Sequence, residues 1–370
     1  MKQLIFATIL LLGLQSCKKN NTTDTEPAPE PQPLFSIPSN FPKPIYPIDS
    51  NPVTQAGFDL GKNLFYDGIL SRDSTIACGE CHRQTYAFSH HMHDLSHGIE
   101  GRIGLRNAQP LQNLAWRERF QWDGKAATLD TQPILPIEHP DEMDDKLDNV
   151  VAKLSKHQGY KNMFKAAFGT EQINAERMLK ALSQFMLSLV SANAKYDKYQ
   201  RKEAGVNLTA DELEGMSLFE SKGCKSCHAG QLFSDESFRS LGLSRFERTK
   251  VDYLDGKPVL SIVVDEGRYR VTGIDTDRFR FKVPSLRNVA ASPPYMHDGR
   301  FAKLQEVLDF YDAGMQEVPN LDPIFRKNAR LGIPMSAEEK RKIIAFLNTL
   351  TDETFLKDKR FAEPDGFPVR

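Results

Sequence analysis

This sequence predicts a mainly α protein of two similarly built units in tandem, with few short strands, and three observations carry that expectation. A Cys-x-x-Cys-His pentapeptide occurs twice, at residues 78–82 and 224–228. Each copy is preceded at short range by Gly-x-x-Leu-Phe, at residues 61–65 and 215–219. Between the two, residues 147–168 and 175–199 place apolar side chains at helical spacing, with Leu179, Leu182, Phe185, Met186 and Leu189 on one face. Core packing accounts for that stripe.

The pentapeptide has a chemical reason for its spacing. Two thiols two residues apart, followed at once by an imidazole, form the attachment signature of a c-type haem: Cys78 and Cys81 bond the porphyrin and His82 reaches the iron. Cys224, Cys227 and His228 repeat the set. A zinc site or a redox Cys-x-x-Cys would not need histidine at the same next position twice. The expectation is therefore two cytochrome c-like domains, each with one covalent haem.

The chain has five cysteines, and the two attachment sites use four. Cys17 is the remainder. Lys2 followed by an apolar run at residues 4–14 reads as an export leader, too short to span a bilayer as a stable helix. Leu14-Gln15-Ser16-Cys17 reads as a lipobox, with cleavage leaving a lipidated Cys17; a plain signal peptide is the alternative. Either way the sequence points to an exported, periplasmic protein; in the lipobox reading it is held to the membrane only through a lipid anchor.

From these signals the chain divides into a leader at 1–17, a Pro/Thr/Glu-rich tether at 18–44, a first haem domain at 45–200, a second at 201–355 and an irregular tail at 356–370. Thr209 with Glu212, and Ser336 with Glu339, have the spacing of capping boxes that start helices. Residues 302–313 read as a helix stopped by Gly314, and 258–283 as a region of short strands. The formal net charge is −1, and no basic run marks a nucleic-acid partner.

Beyond the haem motifs, Arg106-Asn107-Ala108, Trp122-Asp123-Gly124, Gln132-Pro133-Ile134-Leu135-Pro136 and Glu142-Met143 resemble the bacterial di-haem cytochrome c peroxidases and MauG-type enzymes. The run from Phe281 to Asn288 and that from Pro294 to Gly299 do so as well, and the resemblance extends from about residue 51 to 350. It implies peroxide chemistry at the N-terminal haem, with Glu142 as the distal acid–base carboxylate, Gln132 as a distal amide donor and Pro136 shaping the pocket. Trp122 matches the tryptophan lying between the haems, as relay or as core packing. Asn107 with the carbonyls of Ser292 and Pro294 matches a calcium site; an Asn turn without an ion is the other reading.

Tyr311 falls where the usual peroxidases place a methionine on the C-terminal iron and MauG-type enzymes a tyrosine. Met315, one turn on, is the alternative ligand. His97 is a candidate sixth ligand of the N-terminal iron, in a loop with His90, His91 and His93 that also reads as a solvated, pH-sensitive segment. His297 reads as structural or as support near a haem propionate.

The resemblance implies reduction of hydrogen peroxide to water, with electrons entering through the C-terminal haem from a small cytochrome c, a cupredoxin or a quinol. MauG-like oxidation of a protein side chain is the alternative within the family, and a non-catalytic di-haem carrier the alternative outside it. A homodimer stays open.

Overall fold

The computed structural model describes residues 33–90, 93–254, 257–327 and 330–365. The leader with Cys17, and the tether up to residue 32, lie outside the described residues. From Leu34 onward the chain forms one compact unit. It is mainly helical, with only two antiparallel two-stranded pairings among the described strands.

Two helix crossings organise the fold. The helix Gln55–Tyr66 starts at Thr54, whose hydroxyl accepts from the Gly57 N–H, and it crosses the helix Ala175–Ser188. The helix Ala210–Ser221 crosses Ala337–Asn348 in the same way. Gly61 and Gly215 make these crossings possible. A Cβ on Gly61 would stand 1.9 Å from the Ala181 carbonyl oxygen and 3.0 Å from the Cβ of Phe185. On Gly215 it would stand 1.9 Å from the Lys342 carbonyl oxygen and 3.1 Å from the Cβ of Phe346. The Gly-x-x-Leu-Phe echo is thus one packing solution used twice: glycine admits the partner backbone and the phenylalanine beyond it fills the core.

Both expected capping boxes form. Glu212 N–H donates to Thr209 Oγ1 at 3.3 Å while Glu212 Oε2 accepts from the Thr209 N–H at 2.7 Å. Ser336 and Glu339 repeat the arrangement at 3.2 and 2.7 Å. Each hydroxyl cap is worth about 1 kcal/mol to its helix. The 147–168 stretch is two helices, Leu147–Leu154 and Gln158–Phe168. The 175–199 stretch divides likewise, with Lys195–Gln200 following an extended link.

Two apolar clusters result. One gathers Phe58, Leu64, Phe65, Phe88, Phe164 and Phe185; the other Phe219, Phe233, Ile343, Phe346 and Leu347. The first draws on both ends of the described chain. Phe41 packs edge-on to Trp116 at 5.0 Å, and the Trp116 indole donates to the Pro42 carbonyl at 2.8 Å. The extended tether therefore gives way before residue 44, because Phe35 and Phe41 supply apolar surface that the proline run lacks. At the other end Phe355, Leu356 and Phe361 return to the same cluster, and Tyr66 Oη donates to the Phe361 carbonyl at 2.7 Å. The stretch 356–365, expected as irregular, carries the end of the helix Glu353–Lys357 and a short turn at Lys359–Phe361.

A buried ion pair ties the links together. Arg287 donates to both carboxylate oxygens of Asp197 at 2.8 Å, with both side chains fully shielded from solvent. Of the strands, Lys257–Val264 pairs with Glu247–Leu254, and Phe281–Lys282 with Phe238–Arg239. The second pairing sets Lys282 behind Trp122, whose carbonyl accepts the Lys282 N–H at 2.7 Å.

Candidate active site

Each attachment pentapeptide sits on a short helical turn, Cys78–Cys81 and Cys224–Ser226, closed by the histidine N–H donating to the first cysteine's carbonyl at 2.9 Å in both copies. His82 Nδ1 lies 2.7 Å from the Phe88 carbonyl, and His228 Nδ1 lies 3.0 Å from the Phe233 carbonyl. With Nδ1 carrying the proton, the lone pair is on Nε2, the arrangement an iron ligand needs. Burial holds His82 neutral by lowering its pKa to about 4, and lowers that of His228. It also pushes Cys78 and Cys81 up to about 12.

Beside each histidine lies a cavity. Near His82 it measures about 330 Å³ and has a mixed polar and apolar lining that includes Arg106, Gln132, Pro136 and Glu142. Near His228 it measures about 420 Å³ and is predominantly apolar, with Tyr311 in its wall. Both thiols and the imidazole of the second motif line its cavity, and Cys81 and His82 line the first, with Cys78 one turn before Cys81; each donor set fits a c-type haem. The polarity difference separates them. One cavity carries groups able to move protons; the lining of the other is mostly apolar.

Glu142 is held by a turn. Its N–H donates to the His139 carbonyl at 3.0 Å and its carbonyl accepts the Ile99 N–H at 2.8 Å. Burial raises its carboxyl to about 7, reinforced by Asp141 and opposed by Arg106. Gln132 precedes the short helix Ile134–Glu138, which carries Pro136; the Pro136 carbonyl accepts the Met143 N–H at 3.2 Å, linking this helix to the Glu142 turn. Arg106 is locked by Asp265 at 2.6 and 2.7 Å and by Asp123 at 2.7 Å. Burial works against its charge, but those two carboxylates outweigh it and hold the guanidinium protonated.

Trp122 lines both cavities. Its indole N–H donates to the Asn107 carbonyl at 2.8 Å. Asn107 in turn donates through Nδ2 to the Pro294 carbonyl at 2.6 Å and through its N–H to the His297 carbonyl at 2.8 Å. Its Oδ1 is buried with no hydrogen-bond partner, and Ser292 lies in the same cavity wall as Pro294. An orphaned amide oxygen among neutral carbonyls is a donor set a hard cation satisfies.

The helix Leu304–Asp309 runs into a wider π-turn, Phe310–Gly314, and that turn presents Tyr311. Burial raises the Tyr311 phenol's pKa, and the neighbouring sulfurs of Cys224 and Cys227 add to the effect. Met315 is buried in the second apolar cluster and is not among the cavity-lining residues, whereas Met296 and Met335 are. His297 stacks on Phe281 with ring centroids 3.7 Å apart, and burial lowers it to about 4.

His97 is brought to His93 and His90, with ring centroids 4.8 and 6.4 Å away, and none of the three lines the His82 cavity; His91 lies outside the described residues. Among the described residues no three His, Cys, Asp or Glu side chains form a metal-holding group. Sequence reasoning passed over Arg117 and Asp265, the acid that holds Arg106 through two bonds. Long-range ion pairs leave no spacing signal along the chain.

A family model described as di-haem cytochrome c peroxidase matches residues 55–205. The chain is 34% identical over 327 residues to methylamine utilization protein MauG of Methylorubrum extorquens, spanning 86% of this chain and 84% of that protein. It is 32% identical over 315 residues to cytochrome c551 peroxidase of Nitrosomonas europaea, spanning 84% and 85%. Its fold matches that of a solved MauG-like protein associated with microbial copper homeostasis, with a TM-score of 0.75 and 31% identity over 89% of this chain and 99% of that one. With two attachment motifs, two cavities and this extent of shared sequence, the chain belongs to the di-haem cytochrome c peroxidase and MauG family.

Proposed function

We propose that this protein reduces hydrogen peroxide to water in the cavity beside His82, drawing electrons through the haem held by Cys224, Cys227 and His228. The observation that carries the reading is Glu142: a carboxyl with a pKa near 7, in a cavity that also holds a neutral histidine and an amide. The two haems, when bound, supply an iron face for the oxidant and the electrons. Glu142 takes a proton from the near peroxide oxygen and returns it to the far one as water leaves, a role that suits a pKa close to the working pH. Gln132 donates a hydrogen bond that orients the oxidant, and Pro136 limits what else enters. Trp122, bordering both cavities, shortens the electron path between them.

Tyr311 as the second ligand of the C-terminal iron is part of this reading, supported by its place in the cavity wall and by the absence of Met315 from it. A phenolate ligand favours oxidised iron, and that favours a second reading: MauG-like oxidation of a protein side chain. One calcium ion at Asn107, Ser292 and Pro294 is supported by the unpartnered Asn107 Oδ1. The domain limits 45–200 and 201–355, export with a lipid on Cys17, and a small cytochrome c, cupredoxin or quinol as donor complete the proposal. No helix of the described residues is long and apolar enough to cross a membrane.

The deciding experiment is steady-state peroxide consumption by the di-haem protein with a reduced small cytochrome c, a reduced cupredoxin and a quinol offered separately. Turnover with at least one supports the reading. Failure with all three, alongside electron exchange with the haems, leaves a carrier.

A further inference from the structure

At the wall shared by the two cavities, two buried cations share one carboxylate. Arg117 and Lys282 expose 7% and 1% of their side chains, and Glu236 11%. Arg117 Nη1 lies 3.4 Å from Glu236 Oε1, and Lys282 Nζ lies 3.3 Å from Glu236 Oε2. Both contacts are longer than the roughly 2.7–2.9 Å of a fully formed charge-assisted bond. Glu236 also accepts from Ser234 Oγ at 3.3 Å, so its oxygens are divided among three donors. With Lys282 protonated the trio carries one unit of positive charge in excess, and Arg117 Nε is buried with no partner at all. A buried guanidinium with an unused donor is costly unless an anion completes it.

We propose that Arg117 and Lys282 form a carboxylate cradle that holds a propionate of the haem attached at Cys78 and Cys81. Arg117 lines the cavity beside His82, and Lys282 lines both cavities. A propionate is the anionic group such a cofactor carries, and it balances the excess charge. Lys282 is tied to the electron path as well, since its N–H donates to the Trp122 carbonyl at 2.7 Å. Burial first, and Arg117 second, lower the Lys282 ammonium to about 7, with Glu236 opposing them; a second carboxylate in reach restores its charge. Both side chains are positioning residues, fixing the edge of the macrocycle against the Trp122 wall and adding positive potential that favours the reduced iron.

The inference rests on the reading that this cavity holds a haem. Covalent haem content per chain tests that reading separately: fewer than two haems in the unaltered protein would fault the function before the cradle. With two haems present, Lys282→Met, Arg117→Leu and the conservative Lys282→Arg are compared with the unaltered holoprotein by spectroelectrochemistry and resonance Raman. The midpoint potential of the haem at Cys78 and Cys81 should fall in the first two variants and return in Lys282→Arg, with the propionate-bending band shifting in parallel. Potentials and bands identical to the unaltered protein in both truncations would overturn the cradle. Should the truncations fail to fold, the unaltered holoprotein serves alone: a propionate band that shifts on long exchange into D2O supports buried N–H donors, and an insensitive band overturns them.

Discussion

The Trp122 indole N–H donates to the main-chain carbonyl of Asn107 at 2.8 Å, and this one bond joins the wall between the two cavities to the residue whose Oδ1 is left without a partner. The ring is thereby held at the boundary of both cavities.

Replacing Trp122 with Phe keeps an aromatic filler and removes the indole. Inter-haem electron transfer, followed by stopped flow after rapid reduction of the C-terminal haem, should slow by about tenfold or more, roughly 1.4 kcal/mol in the barrier. An unchanged rate would return Trp122 to core packing.

Glu142→Gln should keep both haems and lose peroxide turnover by about a hundredfold or more, the usual range for removing a positioned proton carrier. The pH profile gives an independent check. Burial raises the carboxyl from an ordinary value of 4.5 to about 7, so it is ionised and able to accept the peroxide proton only above that pH. Activity should rise through about pH 7, and that inflection should vanish in the Gln variant.

Tyr311→Phe should change the optical and EPR signature of the C-terminal haem alone. Tyr311→Met should raise that haem's potential, because a thioether stabilises the reduced iron relative to a phenolate. If neither change appears, Met335, which also lines that cavity, becomes the ligand to test.

Two stability predictions separate packing from charge. Gly61→Ala and Gly215→Ala each drive a methyl into the backbone of the crossing helix and should cost about 1–3 kcal/mol in denaturant titration. Asp197→Ala strands Arg287 in a site closed to water and should cost about 3–5 kcal/mol.

Much of the site was legible because local chemistry writes local patterns. The haem attachments, the Thr209–Glu212 and Ser336–Glu339 caps and the glycine echo all lie within a few residues of themselves. The resemblance to the family singled out Glu142, Gln132 and Trp122, and the structure brings all three to the His82 cavity. What escaped notice depends on contacts across the chain. Arg117 meets Glu236 across 119 positions, and Glu236 meets Lys282 across 46. Phe361 returns to Phe88 with no periodic signal to announce it. The strands Phe238–Arg239 and Phe281–Lys282, two residues each, are too short for any alternation to show.

Unequal coordination of the two irons underlies the proposed peroxide chemistry, and the EPR spectrum of the fully ferric protein measures it most directly. It should contain a high-spin signal from the haem at Cys78 and Cys81, abolished by small exogenous ligands, beside a low-spin signal that Tyr311→Phe alters. Two low-spin signals that persist in every redox state, with neither responding to added ligand, would contradict it.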